Sequence, residues 1–487
     1  MKELKDKSLF HTAPFVDGKW IETGGSGSRD LFNPSSGELI GAIPQLNSDQ
    51  VREAISAAHR AFSPWRKLLA KQRSTILRRW YDLIVANLDD LARLIVLEEG
   101  KPFAEAQGEV RYAASFVEWF AEEAKRVKGD VMAGTDVGRR IVTLKEPVGV
   151  CAAITPWNFP AAMITRKAAP ALAAGCTMVV KPAEQTPLTA FALADLATRA
   201  GVPDGVFSVV TGKAREIGAE LTGNPLVRKI TFTGSTEVGR ILIAQSAQTI
   251  KKLSMELGGN APFLVFDDAD VEQAVDGLIA TKYRNTGQAC ISANRVYVQD
   301  GVYDRFAEVL SARVGSLIVG DGFDDGVQQG PLIDADAVTK VKAHIADAVA
   351  KGASVIQGGQ PHDRGGNFFQ PTVLANVTPD MIICQEETFG PIAPLVRFHT
   401  EDEAVRLANA TEFGLAAYLF ARDAELIWRV AGALEAGMVG INTGAISNEV
   451  APFGGVKQSG LGREGSIYGI DEYLELKYLA WQGAAHS

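Results

Sequence analysis

Gly149-Val-Cys-Ala-Ala-Ile154 is the first of several short apolar runs in residues 149–248, from which we predict the fold. In this stretch, short apolar runs that suit strands alternate with longer runs that suit helices. The next strand-like runs are Thr177-Met-Val-Val-Lys181, Val206-Phe-Ser-Val-Val210 and Lys229-Ile-Thr-Phe232. The alternation predicts right-handed βαβ crossovers in a parallel, doubly wound sheet, which binds ligands at the carboxyl ends of its strands.

The flanking regions extend this prediction. Residues 49–126 carry apolar side chains at helical spacing and are predicted to be helices. A second series of strands and helices begins at Pro262-Phe-Leu-Val-Phe266 and continues to about Gly440, which indicates a second α/β domain. A chain of 487 residues is too long for one ordinary core, so two or three domains are expected.

Composition and charge exclude several classes of partner. The formal net charge of -9 argues against nucleic acid or an acidic membrane as the main partner. The N-terminal residues lack the apolar core of a signal peptide, and the longest apolar stretches, such as residues 168–180, are too short to span a bilayer. A cytoplasmic location is therefore expected. The four cysteines and six histidines are scattered, which predicts reduced thiols and no metal site.

Two short runs rich in glycine carry the candidate chemistry. Cys290 is expected at the end of an apolar helix, among Gly, Gln and Asn residues, whereas Cys151 and Cys176 lie in apolar runs that suit buried side chains. Glu256 precedes Leu-Gly-Gly and is either a solvated turn residue or a base. A thiol and a carboxylate in separate Gly-rich turns are the groups needed to attack a carbonyl and to hydrolyse the resulting thioester.

Two other glycine-rich runs are candidates for a phosphate-binding turn. Gly460-Leu-Gly462-Arg-Glu-Gly465 matches the dinucleotide fingerprint, but it follows no convincing strand and is predicted to be a turn. Phe232-Thr-Gly234-Ser-Thr-Glu-Val-Gly239 is typical of a strand, a turn and a helix start, where backbone N–H groups can meet a pyrophosphate. Many α/β proteins contain such turns for packing alone, so the second run leaves both interpretations open.

Polar side chains follow the first two strands of the predicted sheet. Asn158 lies between two prolines after Ile154, so it belongs to a rigid turn or donates to an oxyanion. Lys181 and Glu184 follow the second strand, where the ribose of a dinucleotide would lie, although isolated charges are more often ordinary surface groups.

Taken together, these motifs resemble those of NAD(P)-dependent aldehyde dehydrogenases, from roughly residue 15 to residue 480. The matching motifs are Pro156-Trp-Asn-Phe-Pro160, Phe232-Thr-Gly-Ser235, Glu256-Leu-Gly-Gly259, Gly287-Gln-Ala-Cys290, Glu387-Thr-Phe-Gly-Pro391 and Pro452-Phe-Gly-Gly-Val-Lys457. Within that family the chain is similar to the succinate-semialdehyde dehydrogenases, through Ala162-Met-Ile-Thr-Arg166-Lys, Tyr283-Arg284-Asn285 and Gly444-Ala-Ile-Ser447-Asn-Glu-Val-Ala-Pro452. Chance is an untenable explanation for so many motifs in one order.

The resemblance implies oxidation of an aldehyde to the acid through a cysteine thioester. Cys290 would attack the aldehyde, Asn158 with the Cys290 backbone N–H would stabilise the oxyanion, and Glu256 would activate the water that hydrolyses the thioester. Glutarate semialdehyde and sulfolactaldehyde are alternative substrates, and a non-enzymatic binding protein is the rival class, which the presence of the thiol and the carboxylate disfavours. The residues that would surround the far carboxylate of the expected substrate, succinate semialdehyde, are Arg166, Arg284 and Ser447.

The same resemblance implies a site for NAD(P). Glu184 can accept hydrogen bonds from both hydroxyls of the adenosine ribose but would repel the 2′-phosphate of NADP, so NAD is the expected cofactor, with residual use of NADP. The residues that would bind the cofactor are Ile154, Thr155, Pro156, Trp157, Lys181, Glu184, Gly234, Ser235, Leu257, Glu387 and Phe389.

The family's fold implies three parts. Residues 1–126 and 147–258 would form a dinucleotide-binding domain, and residues 259–458 a catalytic domain. A small oligomerisation sheet would come from residues 127–146 and 471–487, where Arg139-Arg-Ile-Val-Thr-Leu-Lys145 and Tyr473-Leu-Glu-Leu-Lys-Tyr-Leu479 are typical of strands. Because exposed strand edges favour pairing between subunits, a homodimer or homotetramer is expected.

Overall fold

The computed structural model describes residues 4–483, so the predicted domain ends at residues 1–3 and 484–487 lie outside the described residues. The N-terminal part is mainly helical, which confirms the prediction for residues 49–126. Asn47 and Gln50 close the first turn of its first long helix as a capping box. The elements of this part are β1 (Phe15–Val16), β2 (Lys19–Trp20), β3 (Ser28–Phe32), β4 (Leu39–Pro44), α1 (Ser48–Arg66), α2 (Ala70–Ala86), α3 (Leu88–Glu99) and α4 (Phe103–Glu123).

The middle of the chain alternates strands and helices, as the sequence predicts. Its elements are β5 (Val131–Ala133), β6 (Arg139–Pro147), β7 (Val150–Ile154), α5 (Ala162–Ala174), β8 (Thr177–Lys181), α6 (Leu188–Ala200), β9 (Phe207–Val209), α7 (Ala214–Gly223), β10 (Val227–Thr233), α8 (Thr236–Ser246) and β11 (Lys252–Glu256). Together with β1, β2 and β19 (Gly460–Leu461), five of these strands form an eight-stranded sheet in the order β19-β11-β10-β7-β8-β9-β1-β2. Its five central strands are parallel, which confirms the predicted sheet type.

Helices cover both faces of this sheet. Cys151 and Ala153 of β7 pack into a core with the helices α2 to α6, whereas Val150 and Ala152 pack into a second core with α1. Because successive strand residues point to opposite faces, the continuous apolar run of β7 buries both sides. The sheet is therefore doubly wound, as predicted.

The order of the strands reverses between β7 and β10, and this reversal positions the site. From β7 the chain moves outward to β8 and β9, and then it returns to place β10 on the other side of β7. At such a switch point the loops after the two neighbouring strands diverge and leave a crevice. Here those loops carry Asn158 and Gly234.

A second sheet lies in residues 261–441. Its elements are β12 (Ala261–Val265), α9 (Val271–Lys282), β13 (Ala293–Gln299), α10 (Asp300–Gly315), α11 (Ala335–Ala350), β14 (Ser354–Gln357), β15 (Thr372–Ala375), α12 (Ile382–Gln385), β16 (Ile392–Phe398), α13 (Glu401–Asn409), β17 (Ala416–Phe420), α14 (Ala424–Ala433) and β18 (Met438–Ile441). The strand order is β14-β15-β16-β13-β12-β17-β18, and every pair except β14–β15 is parallel. The predicted second α/β unit is thus present.

A third, antiparallel sheet joins distant parts of the chain. β20 (Leu474–Gln482) pairs along its length with β6, which also pairs with β5. Both segments predicted for the oligomerisation sheet therefore form strands, and they pair with each other. Among the described residues no helix is long and apolar enough to cross a membrane.

The glycine fingerprint at Gly460 does not start as the turn that the sequence predicts. Gly460 and Leu461 instead form the edge strand β19, which is antiparallel to β11. No helix of more than a single 3-10 turn follows it within the described residues. A dinucleotide fingerprint needs a helix N-terminus for the pyrophosphate, and this run has none.

Candidate active site

A cavity of about 300 Å³ lies between the carboxyl edge of the first sheet and the amino edge of the second. The first sheet contributes the loops after β7 and β10, and the second contributes the segments that precede β13 and β16. The cavity is lined by Tyr112, Pro156, Trp157, Asn158, Phe159, Met163, Arg166, Thr233, Gly234, Ser235, Leu257, Gly258, Arg284, Ala289, Cys290, Ile291, Lys340, Glu387, Phe389, Ser447 and Phe453.

Most residues predicted for the site meet in this cavity. All three substrate candidates line it, together with Cys290, Asn158 and most of the cofactor candidates. The predicted residues that do not line it are Glu256, Ile154, Thr155, Lys181 and Glu184. Sequence reasoning missed Tyr112 and Lys340, which reach the cavity from helices far away in the chain.

Cys290 opens on the cavity from an irregular loop. The apolar helix α9 ends at Lys282, and a short 3-10 turn at Arg284–Gly287 follows, so Cys290 lies eight residues beyond the helix rather than at its end. The carbonyl oxygen of Cys290 lies so close to Gly259 that a Cβ there would be 2.4 Å from it. Burial, and then the negative charge of Glu387, raise the pKa of the Cys290 thiol to about 12. The resting thiol is therefore protonated.

Asn158 is held rigidly beside the thiol loop. Its side-chain amide donates to the carbonyl of Gln288 at 2.8 Å, and its own carbonyl accepts from Lys101 at 2.7 Å and from Asn285 at 3.0 Å. A side-chain amide has two N–H donors, so one remains for the cavity.

Buried charged side chains hold the segment that carries Asn158. Lys101 forms an ion pair with Glu109 at 2.6 Å, and the same carboxylate accepts hydrogen bonds from the backbone of Ala161 and Ala162 where α5 begins. These two charged residues were missed because, as a charged pair beside a helix, they look like ordinary surface groups in the sequence.

Glu256 lies at the end of β11 and is buried, rather than in a solvated turn. Burial, and then the nearby charge of Glu464, raise the pKa of the Glu256 carboxyl well above its ordinary value. Its Oε2 atom has no hydrogen-bond partner among the described residues. Burial thus favours the neutral form of this carboxyl, and its Oε2 atom is free to bind water or to accept a proton.

The two predicted substrate arginines have different surroundings. The Nη2 atom of Arg166 lies 2.7 Å from the Oε2 atom of Glu464, so a buried carboxylate already neutralises much of its charge. Arg284 is only partly buried, packs over the Phe159 ring at 4.8 Å, and has no carboxylate within 4 Å among the described residues. Of the two arginines, Arg284 is therefore the one that is free to bind an anion.

The third substrate candidate, Ser447, shares a hydrogen bond with a residue that the sequence did not indicate. Its hydroxyl lies 2.5 Å from the Tyr112 hydroxyl, which reaches the cavity from α4. The two hydroxyls provide neutral donors near the arginines.

The start of α8 fits the phosphate end of a dinucleotide. Ser235 caps the helix by accepting from the Val238 backbone N–H at 3.3 Å. A Cβ on Gly234 would lie 2.4 Å from the Phe232 ring, so only glycine fits before the cap. Gly234 and Ser235, which directly precede this eleven-residue helix, line the cavity, so the helix begins at the cavity wall.

Glu387 and Phe389 hold the opposite wall of the cavity. Glu387 accepts from the Gly259 backbone N–H at 3.0 Å, and burial raises the pKa of this carboxyl to about 7. Phe389 adopts a left-handed backbone with φ of 54° and meets the Trp157 ring edge-on at 5.5 Å. A non-glycine residue with positive φ persists only when its surroundings fix it.

Asn294 helps to hold the backbone on both sides of Glu387. It accepts from the Thr388 backbone N–H at 3.1 Å and donates to the Glu386 carbonyl at 2.8 Å. Lys340 donates to the Glu387 carbonyl at 2.5 Å from α11. The sequence gives little signal for these contacts, because they join elements about fifty to ninety residues apart.

Lys181 ends β8 and Glu184 follows it, outside this cavity but on the same edge of the sheet. Lys181 is buried, donates to the Pro182 carbonyl at 3.1 Å, and has its pKa lowered to about 8 by burial. Glu184 accepts from the Ala214 backbone N–H at 3.1 Å and forms an ion pair with Arg29. The residues of this edge thus offer both donors and acceptors to a ribose.

Comparison with known proteins covers nearly the whole chain. Residues 20–479 match the model of the family described as "Aldehyde dehydrogenase family". The chain is 60% identical to glutarate-semialdehyde dehydrogenase of Pseudomonas aeruginosa, covering 99% of this chain and 100% of the relative. It is 61% identical to the succinate-semialdehyde dehydrogenase [NADP(+)] GabD of Escherichia coli, covering 98% and 99%.

Two further proteins are similar to this chain over nearly its whole length. The 3-sulfolactaldehyde dehydrogenase of Pseudomonas putida is 59% identical over 99% of each chain. The crystal structure of succinate-semialdehyde dehydrogenase from Burkholderia pseudomallei superimposes with a TM-score of 0.98, at 60% identity, over 99% of this chain and 100% of that chain.

Proposed function

Because the protein belongs to the aldehyde dehydrogenase family and is an NAD(P)-dependent oxidoreductase, we propose that it oxidises a short aldehyde with an anionic far end, succinate semialdehyde first. The relatives of 59 to 61% identity are named for succinate, glutarate and sulfolactaldehyde substrates, all of which carry such an anion. Their shared chemistry supports the class of substrate more strongly than any one member.

One observation carries the proposal: a thiol and an unpaired guanidinium face the same small cavity. Cys290 and Arg284 both line it and belong to one loop, six positions apart. Arg284 has no carboxylate within 4 Å among the described residues, so an anion of the substrate can take that place. A substrate held at both ends must be short, which agrees with a four-carbon semialdehyde.

Each chemical step of the proposed reaction has a residue in this site that can perform it. The Cys290 thiol loses its proton to water, and the resulting thiolate attacks the aldehyde carbon. The free N–H of Asn158 and the Cys290 backbone N–H stabilise the carbonyl oxygen, which becomes negative as its double bond opens. Glu387 and Phe389 would hold the oxidised nicotinamide, which would supply the acceptor for the hydride that leaves that carbon. A thioester on Cys290 remains, and Glu256 removes a proton from the water that hydrolyses it.

The pKa shifts suit this division of labour. A carboxyl whose pKa is raised by burial is a stronger base once it is ionised, and Glu256 has a free oxygen to receive the proton. The thiol needs help to ionise, because burial raises its pKa to about 12. Asn158 and Arg166 are the nearby groups that favour negative charge on the sulfur and on the oxyanion.

We also propose that the cofactor site prefers NAD. Glu387 and Phe389 would position the nicotinamide ribose and ring, the start of α8 would face the pyrophosphate, and Glu184 would accept hydrogen bonds from the adenosine ribose. A 2′-phosphate about 5 Å from Glu184 would be repelled by roughly 3 kcal/mol per unit charge at an effective dielectric near 20. This predicts an NAD preference of about ten- to a thousandfold in kcat/KM.

For the assembly we propose a homodimer or homotetramer that uses the sheet of β5, β6 and β20. Four large side chains of β20 are exposed, Leu476 and Tyr478 on one face of this sheet and Leu479 and Trp481 on the other. Exposed apolar side chains on a strand at the edge of a sheet favour contact with another chain.

Steady-state kinetics with matched aldehydes test the proposal. We expect kcat/KM to be highest for succinate semialdehyde and lower for glutarate semialdehyde and sulfolactaldehyde. All three should exceed butyraldehyde, which has the same chain length as succinate semialdehyde but no anion. If butyraldehyde is oxidised as efficiently as succinate semialdehyde, the proposed substrate class is wrong.

A further inference from the structure

An arginine far from the predicted site reaches the adenosine end of the cofactor site. Arg29 lies in β3 and forms an ion pair with the Oε2 atom of Glu184, 155 positions along the chain. The Arg29 side chain remains 51% exposed, whereas that of Glu184 is only 18% exposed. The cation is therefore available to a ligand that approaches from solvent.

The β3–β4 hairpin is built to hold Arg29 at this place. Thr211 follows β9, and its hydroxyl donates to the Pro44 carbonyl at 2.6 Å. The backbone carbonyl of Thr211 accepts from the Leu46 backbone N–H at 2.8 Å. These bonds fasten the end of the hairpin to the carboxyl edge of the first sheet. In the hairpin register Arg29 pairs with Ile43, close to that end.

The ion pair between Arg29 and Glu184 changes the charges that would surround a 2′-phosphate. Both oxygens of Glu184 are engaged, one by Arg29 and the other by the Ala214 N–H, so the carboxylate is held in place. The other N–H donors of Arg29 have no partner among the described residues. A phosphate beside Glu184 would thus meet a cation with free donors as well as a fixed negative charge.

We propose that Arg29 is a second residue that sets cofactor specificity, and that its guanidinium binds the 2′-phosphate of NADP. The inference rests on the proposed function, because it assumes that Glu184 lies at the adenosine ribose. Glu184 favours the ribose hydroxyls of NAD, and Arg29 limits the penalty for NADP. An arginine fork matches the geometry of a phosphate, so the contact is specific to that group.

Isothermal titration calorimetry with nucleotide fragments tests this without catalysis. The probes are 2′,5′-ADP, which carries the 2′-phosphate, and 5′-AMP, which lacks it. Arg29→Ala should weaken binding of 2′,5′-ADP about three- to tenfold and change binding of 5′-AMP less than twofold. Arg29→Lys keeps the cation and should recover part of the loss.

The matched control and a second background make the test specific. Arg60→Ala removes another exposed arginine, which pairs with Asp17, and should leave both probes unchanged. In a Glu184→Ser background Arg29 is released from its partner, so Arg29→Ala should then weaken 2′,5′-ADP by tenfold or more. An absent effect there, or an equal loss for both probes, would overturn the proposal.

Failure of the ribose assignment has a different signature. If Glu184→Ser leaves both probes unchanged, Glu184 is not at the ribose, and the inference fails together with that part of the proposed function. If Glu184→Ser strengthens binding of 2′,5′-ADP while Arg29→Ala has no effect in either background, only the role of Arg29 is wrong.

Discussion

Replacing Arg284 by alanine should remove the selectivity for anionic aldehydes. Arg284 is partly exposed, packs over Phe159, and has no ion pair among the described residues, so its removal leaves no buried charge without a partner. The loss should therefore appear in substrate binding rather than in the stability of the fold. One charged hydrogen bond to the substrate is worth about 2 to 4 kcal/mol, or roughly thirty- to a thousandfold in kcat/KM.

The assay compares succinate semialdehyde with butyraldehyde in the parent protein and in Arg284→Ala. We expect the efficiency with succinate semialdehyde to fall by that factor, and the efficiency with butyraldehyde to change by less than about threefold. Arg284→Lys keeps the charge but loses the planar fork, so it should give an intermediate loss. An unchanged ratio between the two aldehydes in Arg284→Ala would refute the assignment of the anion pocket.

Three further predictions concern the thiol, the cofactor and the base. Ser292 lies two residues after Cys290, so no thiol at that position can form a disulfide with Cys290. Mild peroxide should therefore oxidise Cys290 to the sulfenic acid or beyond. Peptide mass spectrometry should find no disulfide between Cys290 and the other three cysteines. Glu184→Ser should narrow the NAD preference mainly by lowering the KM for NADP, and equal efficiency of both cofactors in the parent would contradict the role of Glu184. Because the pKa of Glu256 is raised, hydrolysis of the thioester should accelerate as the pH rises and this carboxyl ionises. A single-turnover rate that does not change from pH 5 to pH 9 would contradict the role of the ionised carboxylate as the base.

The sequence predicted the sheet and the place of the site because both follow from local patterns. Strand-like and helix-like runs alternate from Gly149 onward, and the motifs with proline and glycine lie where strands end or begin. Motifs at the ends of parallel strands gather at one edge of a sheet. Asn158 and Gly234 consequently lie at one edge of the first sheet, and the segment before β13 of the second sheet brings Cys290 to the same cavity.

Contacts between distant buried charges could not be predicted in this way. Glu464 lies in the glycine-rich run that resembles a dinucleotide fingerprint, yet its side chain neutralises Arg166, 298 positions earlier. Lys101 supports the carbonyl of Asn158 from a helix end. The spacing of residues along the chain carries no signal for pairs like these, because three-dimensional packing alone brings them together.

The position of Glu256 also needed the structure. It was expected in a turn, but it ends a buried strand and does not line the cavity that Cys290 faces. For the proposed hydrolysis its side chain has to turn toward the thioester, and its free Oε2 leaves that movement unhindered by hydrogen bonds within the described residues.

Rapid mixing of Glu256→Gln with succinate semialdehyde and NAD separates the formation of the Cys290 thioester from its hydrolysis. The proposed function requires that Cys290 forms this thioester and that Glu256 activates the water that hydrolyses it. We predict a burst of at most one NADH per active site, after which turnover stalls, and mass spectrometry should find the acyl group on Cys290. Cys290→Ala, as the control, should give no burst. Sustained turnover of Glu256→Gln at the rate of the parent protein would contradict the claim.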